Sequence, residues 1–221
     1  MVEGLGQLKG SPSRAYLAGL KVLMGLCWTL TYLLIIRRGF VDQTVGIPLV
    51  SLATNISWEF IFAFVYPHGK TQRAVNAAWF GLDLVILWQL FQFGNTAGLP
   101  DGLFYLFVIL TLVTASSLTL LITRHFQDWR GQYTAFGGNL LMSVLFITML
   151  LDRGNLAGQS IYIALFKLLG TAISALAFYR YYAVPRIIPW LGLAIFIFDG
   201  IYLVMVYQQT IESGLSVWSR F

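Results

Sequence analysis

Charge is what this chain has least of: Asp, Glu, Lys and Arg together make up 10% of its residues, against ~25% in an ordinary soluble domain. So little charge excludes a water-solvated globule. The one cysteine, Cys27, lies inside an apolar run, which excludes a disulfide framework and a thiolate zinc site. The two histidines, His68 and His125, stand alone at the ends of apolar runs with no second ligand at metal spacing. Each reads as a headgroup contact, and no metal is expected. Also missing is an Asp-Asp-x-x-Asp run or other acidic cluster able to hold magnesium against a diphosphate, which argues against chemistry that begins by ionising one. The formal charge of +5 does not point to nucleic acid, because the basic residues are scattered at the ends of apolar runs, where they answer to phospholipid headgroups.

What the chain has is apolar length. Residues of hydrophobic type make up 58%, in runs near the ~20 residues that span a bilayer core. The first run is longer than a signal-peptide core and lacks a small-residue cleavage site after it, so it is expected to stay as a helix. Seven helices are expected, over residues 15–36, 47–66, 74–93, 103–123, 134–151, 160–178 and 187–207. The fold class is all-α: a polytopic seven-transmembrane-helix bundle, with polar tails over 1–14 and 208–221. Arg37-Arg38-Gly39 is read as the end of helix one, and Pro48 as the opening turn of helix two.

With seven crossings, Lys9, Arg14, Lys21, Lys70, Arg73, Arg124, Arg130, Arg180 and Arg186 fall on the N-terminal side. Only Arg37, Arg38, Arg153 and Arg220 fall on the other. The positive-inside rule then predicts an integral membrane protein with a cytosolic N-terminus. A weak self-similarity at an offset of about 115 residues, in which Phe80-x-x-Asp83 and Gln92 match Phe196-x-x-Asp199 and Gln208, raises a three-one-three arrangement of parallel repeats. It would bring Asp83 and Asp199 to matching depths on opposite walls of a central cavity.

Against this apolar background stand three carboxyls, Glu59, Asp83 and Asp199, and one amine, Lys167. An acid near mid-membrane costs ~2.5–3.5 kcal/mol on insertion scales and marks a functional site by default. The plainer reading is glue between helices, with Asp199 or Glu59 paired to Lys167; Lys167 alternatively snorkels to the outer interface. Sharing a helical face with each acid at three- and four-residue steps are Asn55, Phe62, Ala63 and Tyr66 for Glu59, Asn76, Trp79 and Phe80 for Asp83, and Phe196 and Tyr202 for Asp199, so that every acid has an aromatic residue one turn away. Burial favours the neutral form of a carboxyl group, which can then donate a proton. Aromatic faces stabilise cations, and a dry site protects a cation from water. Acid and aromatic lining together suit the protonation of an alkene or epoxide.

Ser57-Trp58-Glu59-Phe60 through Tyr66-Pro67, the seven-helix length and Asp199-Gly200-Ile201-Tyr202 resemble the small integral-membrane terpene cyclases of meroterpenoid and indole diterpenoid pathways, the pyripyropene and paxilline type. The resemblance implies a proton-initiated cyclase that does not ionise a diphosphate. Such an enzyme protonates the terminal epoxide or alkene of a farnesyl- or geranylgeranyl-type chain on an aromatic or indole head, and cationic polyene cyclisation follows. It maps the essential acids onto Glu59 and Asp199, with Trp79 and Asp83 fitting the third helix. The expected catalytic group is Glu59, Asp199 and Asp83. The expected substrate-binding residues are Asn55, Trp58, Phe62, Tyr66, Trp79, Phe196 and Tyr202. No cofactor is called for. The partners are a lipophilic prenylated small molecule and the bilayer, and oligomeric state is left open. A small seven-helix transporter with midplane carboxylates is the rival. A retinal photoreceptor is a third reading, although helix seven lacks a lysine.

Overall fold

The computed structural model describes residues 14–95, 98–181 and 184–221; the expected N-terminal tail lies outside them but for Arg14. Among the described residues the chain forms seven α-helices and no strand. They are α1 (Arg14–Asp42), α2 (Leu49–Phe60), α3 (Lys70–Phe93), α4 (Asp101–His125), α5 (Gln132–Arg153), α6 (Ile161–Tyr181) and α7 (Ile187–Glu212). Six are long and apolar enough to cross a membrane. The second is shorter: 12 residues of α-helix followed by one π turn, Ile61–Val65.

The ends show which local signals gave way to packing. Helix α1 runs past Arg37-Arg38-Gly39 to Asp42, because Arg38 pairs with Asp42 one turn on. Gly39 serves a close approach instead of a stop: a Cβ there would lie 2.6 Å from the Gln89 side chain of α3, whose Nε2 donates to the Ile36 carbonyl at 2.8 Å. Helix α7 continues to Glu212, so the C-terminal tail begins later than expected. Gly131 and Gly154, before and after α5, take left-handed backbone with φ of 62° and 60°, which only glycine adopts freely.

Helix α1 packs on α3 and α6, α2 on α3, α4 and α5, and α7 on α5 and α6. Exchanging α1, α2 and α3 for α5, α6 and α7 turns the α1–α3, α2–α3 and α1–α6 contacts into α5–α7, α6–α7 and α2–α5, all of which occur. The packing thus has the pattern of two three-helix halves. Helix α4 stands apart from this exchange, against α2, to which the Ser57–Ser116 hydroxyl pair ties it at 2.9 Å. Leu106, Phe107, Leu110, Val113 and Leu121 of α4, like Leu23, Leu26, Leu30 and Leu33 of α1, are exposed. Apolar faces this extensive belong in lipid.

Candidate functional site

A chamber of about 390 Å³ lies between the two halves, within the ~300–1,000 Å³ range of small-molecule sites. Along α1 it is lined by Leu17, Leu20, Lys21, Met24, Trp28 and Tyr32, residues three or four apart that form one helical stripe. At 1.5 Å per residue the stripe is roughly 22 Å long, so the chamber is a slot running along the helix. One end is polar and basic: Lys21, His68, Gln72, Arg130 and Gln132 gather there from helix ends and loops on the N-terminal side. At the other end Tyr32, Asn55 and Met142 border a small extension reaching Ile35, Ile47, Phe146 and Lys167.

Glu59 lines the chamber and is only 3% exposed. The Tyr32 hydroxyl donates to its Oε1 at 2.6 Å, and the Asn55 amide donates to the Tyr32 oxygen at 3.0 Å. Asp83, fully buried behind it, is near enough for the two carboxyl groups to interact electrostatically. No hydrogen-bond donor among the described residues reaches Glu59 Oε2 or either Asp83 oxygen, and all three atoms are buried. Two neighbouring buried carboxyl groups repel one another when both are ionised, so their protonation is coupled.

Asp199 stands elsewhere. It forms a buried ion pair with Lys167, whose Nζ also donates to Ser143 Oγ at 2.7 Å. Neither Asp83 nor Asp199 lines the chamber: each turns towards the neighbouring helix of its own half, Asp83 to α2 and Asp199 to α6. The expected pair of facing aspartates is therefore replaced by a Glu59–Asp83 pair in one half and a Lys167–Asp199 pair in the other. Lys167 is fully buried and does not snorkel.

The other sequence expectations divide. Asn55, Trp58 and Trp79 line the chamber. The two indole N–H groups are fixed, Trp58 to the Gly131 carbonyl at 2.9 Å and Trp79 to Thr29 Oγ1 at 3.0 Å. Phe62 and Tyr66 do not follow Glu59 into the chamber wall, because the π turn from Ile61 breaks the 3.6-residue period that would have carried them there. Phe62 is buried under the His68 ring, stacked at 4.9 Å, and Tyr66 accepts a hydrogen bond from Arg124 Nε at 3.0 Å. Phe196 is 49% exposed on the outside of α7. Tyr202 is buried among Phe146 and Gln159, outside the chamber.

The sequence reading missed Tyr32, Trp28 and the role of His68, which is a chamber residue hydrogen-bonded to Asn76 at 3.2 Å rather than a headgroup contact. The α1 stripe, with Lys21, Trp28 and Tyr32 at helical spacing in an apolar run, was the signal for two of them. On the facing side Thr54, Asn139, Thr171 and Ser174 give the chamber a polar strip, with Asn139 Nδ2 bonded to Thr171 at 3.0 Å.

Comparison with known proteins agrees with this architecture. A family described as Pyr4-like transmembrane terpene cyclases matches residues 12–208. The Pyr4-family terpene cyclase mfmH of Annulohypoxylon moriforme is 32% identical over 178 residues, 77% of this chain and 74% of that protein. Terpene cyclase macJ of Penicillium terrestre is 29% identical over 73% of this chain and 66% of its own length. Terpene cyclase pyr4 of Aspergillus fumigatus is 28% identical over 83% of each. No solved structure matches the chain.

Proposed function

This chain belongs to the Pyr4-like transmembrane terpene cyclases, and we propose that it protonates the terminal epoxide or alkene of a prenylated aromatic or indole substrate, with Glu59 as the acid. The observation that carries this reading is the position of Glu59: a buried carboxyl, backed by a second carboxyl, on the wall of an aromatic-lined slot. The prenyl chain lies along the α1 stripe, and its polar head stays at the mouth among Lys21, Gln72 and Arg130. The Glu59 O–H bond breaks and its proton goes to the epoxide oxygen, or to the terminal alkene carbon. In the epoxide case the C–O bond opens as the next alkene's π electrons form a C–C bond. Successive alkenes extend the cation, and loss of a proton beside the last cationic carbon returns one proton to the Glu59–Asp83 pair. The product is an isomer of the substrate, and atoms balance without a cofactor.

The walls serve the cation. The pinned indoles of Trp58 and Trp79 line the slot together with Trp28, and an indole face met by a cation is worth ~0.5–2 kcal/mol. Asp199 acts at one remove in this scheme, holding Lys167 and through it Ser143 beneath the chamber. The N-terminal, mouth-bearing side faces the cytosol.

The test is an incubation of membranes containing the protein with an epoxyfarnesyl aromatic substrate. A cyclised isomer is expected from the wild type, and a loss of at least ~100-fold from Glu59→Gln, in the range that general-acid groups command. Full cyclisation by a correctly inserted Glu59→Gln refutes the assignment. Unchanged substrate moved across sealed vesicles would favour the carrier reading instead.

A further inference from the structure

The slot carries opposite charge types at its two ends. Among the described residues Glu59 is the one acid that lines it, beside Tyr32 at the deep end. At the mouth stand two cations, Lys21 of α1 and Arg130 of the loop before α5. Lys21 and Tyr32 lie on one α1 stripe, roughly 16 Å apart along the helix axis. The mouth cations have no counter-charge of their own: neither makes an ion pair or a side-chain hydrogen bond among the described residues. Asp128, two residues before Arg130, is buried, accepts from the Tyr133 amide at 2.7 Å and does not line the slot. Gln72 and His68 are both tied to Asn76, at 2.8 Å and 3.2 Å, which leaves Lys21 and Arg130, with the neutral Gln132, to meet whatever enters.

A prenylated substrate filling the slot displaces water from both cations. A neutral head leaves them dehydrated and unpaired, which is costly for a charge. An ionised oxygen acid replaces the lost water, because Arg offers a carboxylate two parallel N–H bonds and Lys a compact positive charge. We propose that Lys21 and Arg130 form a head-group site that takes an acidic aromatic head as its anion, a carboxylate or an ionised enol or phenol, in preference to a neutral indole. This rests on the cyclase reading and narrows its substrate class. The same arrangement sets direction. The anion is drawn to the basic mouth and away from the Glu59–Asp83 carboxyls, so the far end of the prenyl chain is the end that reaches the acid. No bond forms or breaks at the head-group site.

The test compares three substrates that share an epoxyfarnesyl chain: an aromatic carboxylic acid, its methyl ester and an indole. Full-length protein in phosphatidylcholine nanodiscs at about pH 7.5, where a carboxyl group is ionised, is expected to favour the acid over both others by roughly 10-fold in kcat/KM, through KM. The preference shrinks towards unity in Lys21→Gln combined with Arg130→Gln. It also shrinks as salt is raised from about 0.05 to about 0.5 M, which screens exposed charge. Arg130→Lys, which keeps the charge and loses the fork, retains part of it. A wild type that does not tell acid from ester overturns the site, and so does a preference that survives both the double variant and salt, since that preference is steric. If the cations serve lipid phosphates instead, the double variant loses activity on all three substrates alike, by an amount that changes with added phosphatidylglycerol, and the site is again overturned. Each of these results leaves the cyclase standing, because cyclised product still forms. A wild type that cyclises none of the three overturns the cyclase reading and takes the head-group site with it.

Discussion

A fully buried ammonium, Lys167, is tolerated in this bundle because Asp199 neutralises it and Ser143 accepts another of its hydrogens. Breaking such a pair from one side leaves a naked charge and costs about 3–5 kcal/mol, whereas replacing both partners with apolar residues is often neutral. Asp199→Asn is therefore expected to melt well below the wild type in detergent, and Lys167→Met with Asp199→Leu to regain most of the loss. A second titrating residue lies at the mouth. Burial holds the His68 imidazole below its ordinary 6.5, against a hydrogen bond to the Arg130 backbone and the pull of Asp128, with the Arg130 charge adding a smaller push downward. The unfolded chain thus takes up the proton first as pH falls. Stability is complete above about 6.5 and declines as pH drops towards the folded-state value. Melting temperatures followed from about pH 7.5 to about 5 should fall in the wild type and flatten in His68→Asn. Glu59 was legible in the sequence because any acid in an apolar run stands out. Its neighbour was not, since only folding decides whether Asp83 or Asp199 comes beside it.

Helix positions were readable from apolar runs, turn formers and flanking cations, and the bounds observed differ mainly by a few added residues at the ends. Periodicity fails where the backbone does, at the π turn of Ile61–Val65, and there the sequence gives no warning because Ile-Phe-Ala-Phe-Val suits an α-helix equally well. Close helix contacts are similarly silent. Gly170 of α6 faces Trp28 of α1, and a Cβ at that glycine would lie 2.8 Å from the indole. A larger residue must push the ring towards the slot it lines. Overpacking of this sort costs about 1–3 kcal/mol. Gly170→Val is thus expected to raise KM for the prenylated substrate roughly 10-fold and to alter the ratio of cyclised products, since Trp28 shapes the wall along which the chain folds. Kinetics and product analysis on the variant check both, and an unchanged product pattern with unchanged KM would show that Trp28 finds room elsewhere.

The two ends of the molecule are built differently. On the side away from the mouth, Asp42 ties Arg38, Arg220 at 2.7 Å and the Gly158 amide at 2.8 Å. Arg220 also donates to the carbonyls of Leu156 and Gln159, and Arg153 to those of Val45 and Ala157. These contacts strap the α1–α2 loop, the α5–α6 loop and the C-terminal tail together. At the basic end, where Arg124 joins Tyr66 at 3.0 Å and Trp58 the Gly131 carbonyl at 2.9 Å, the slot is bordered by Lys21, Gln72 and Arg130 from three separate parts of the chain. On the proposed function, a substrate with a greasy chain and a polar head would enter tail first from the N-terminal side, where the rim is basic. The native cysteine, Cys27, is buried, so an introduced thiol can report on that entry. Gln132→Cys at the mouth should react with a bulky maleimide and lose cyclisation, and bound substrate should slow the reaction. Ser216→Cys, exposed on the strapped side, should react freely and stay active. Protection at Ser216→Cys but not at Gln132→Cys would mean that the chain enters from the opposite end, and the polarity drawn from the basic rim would be reversed.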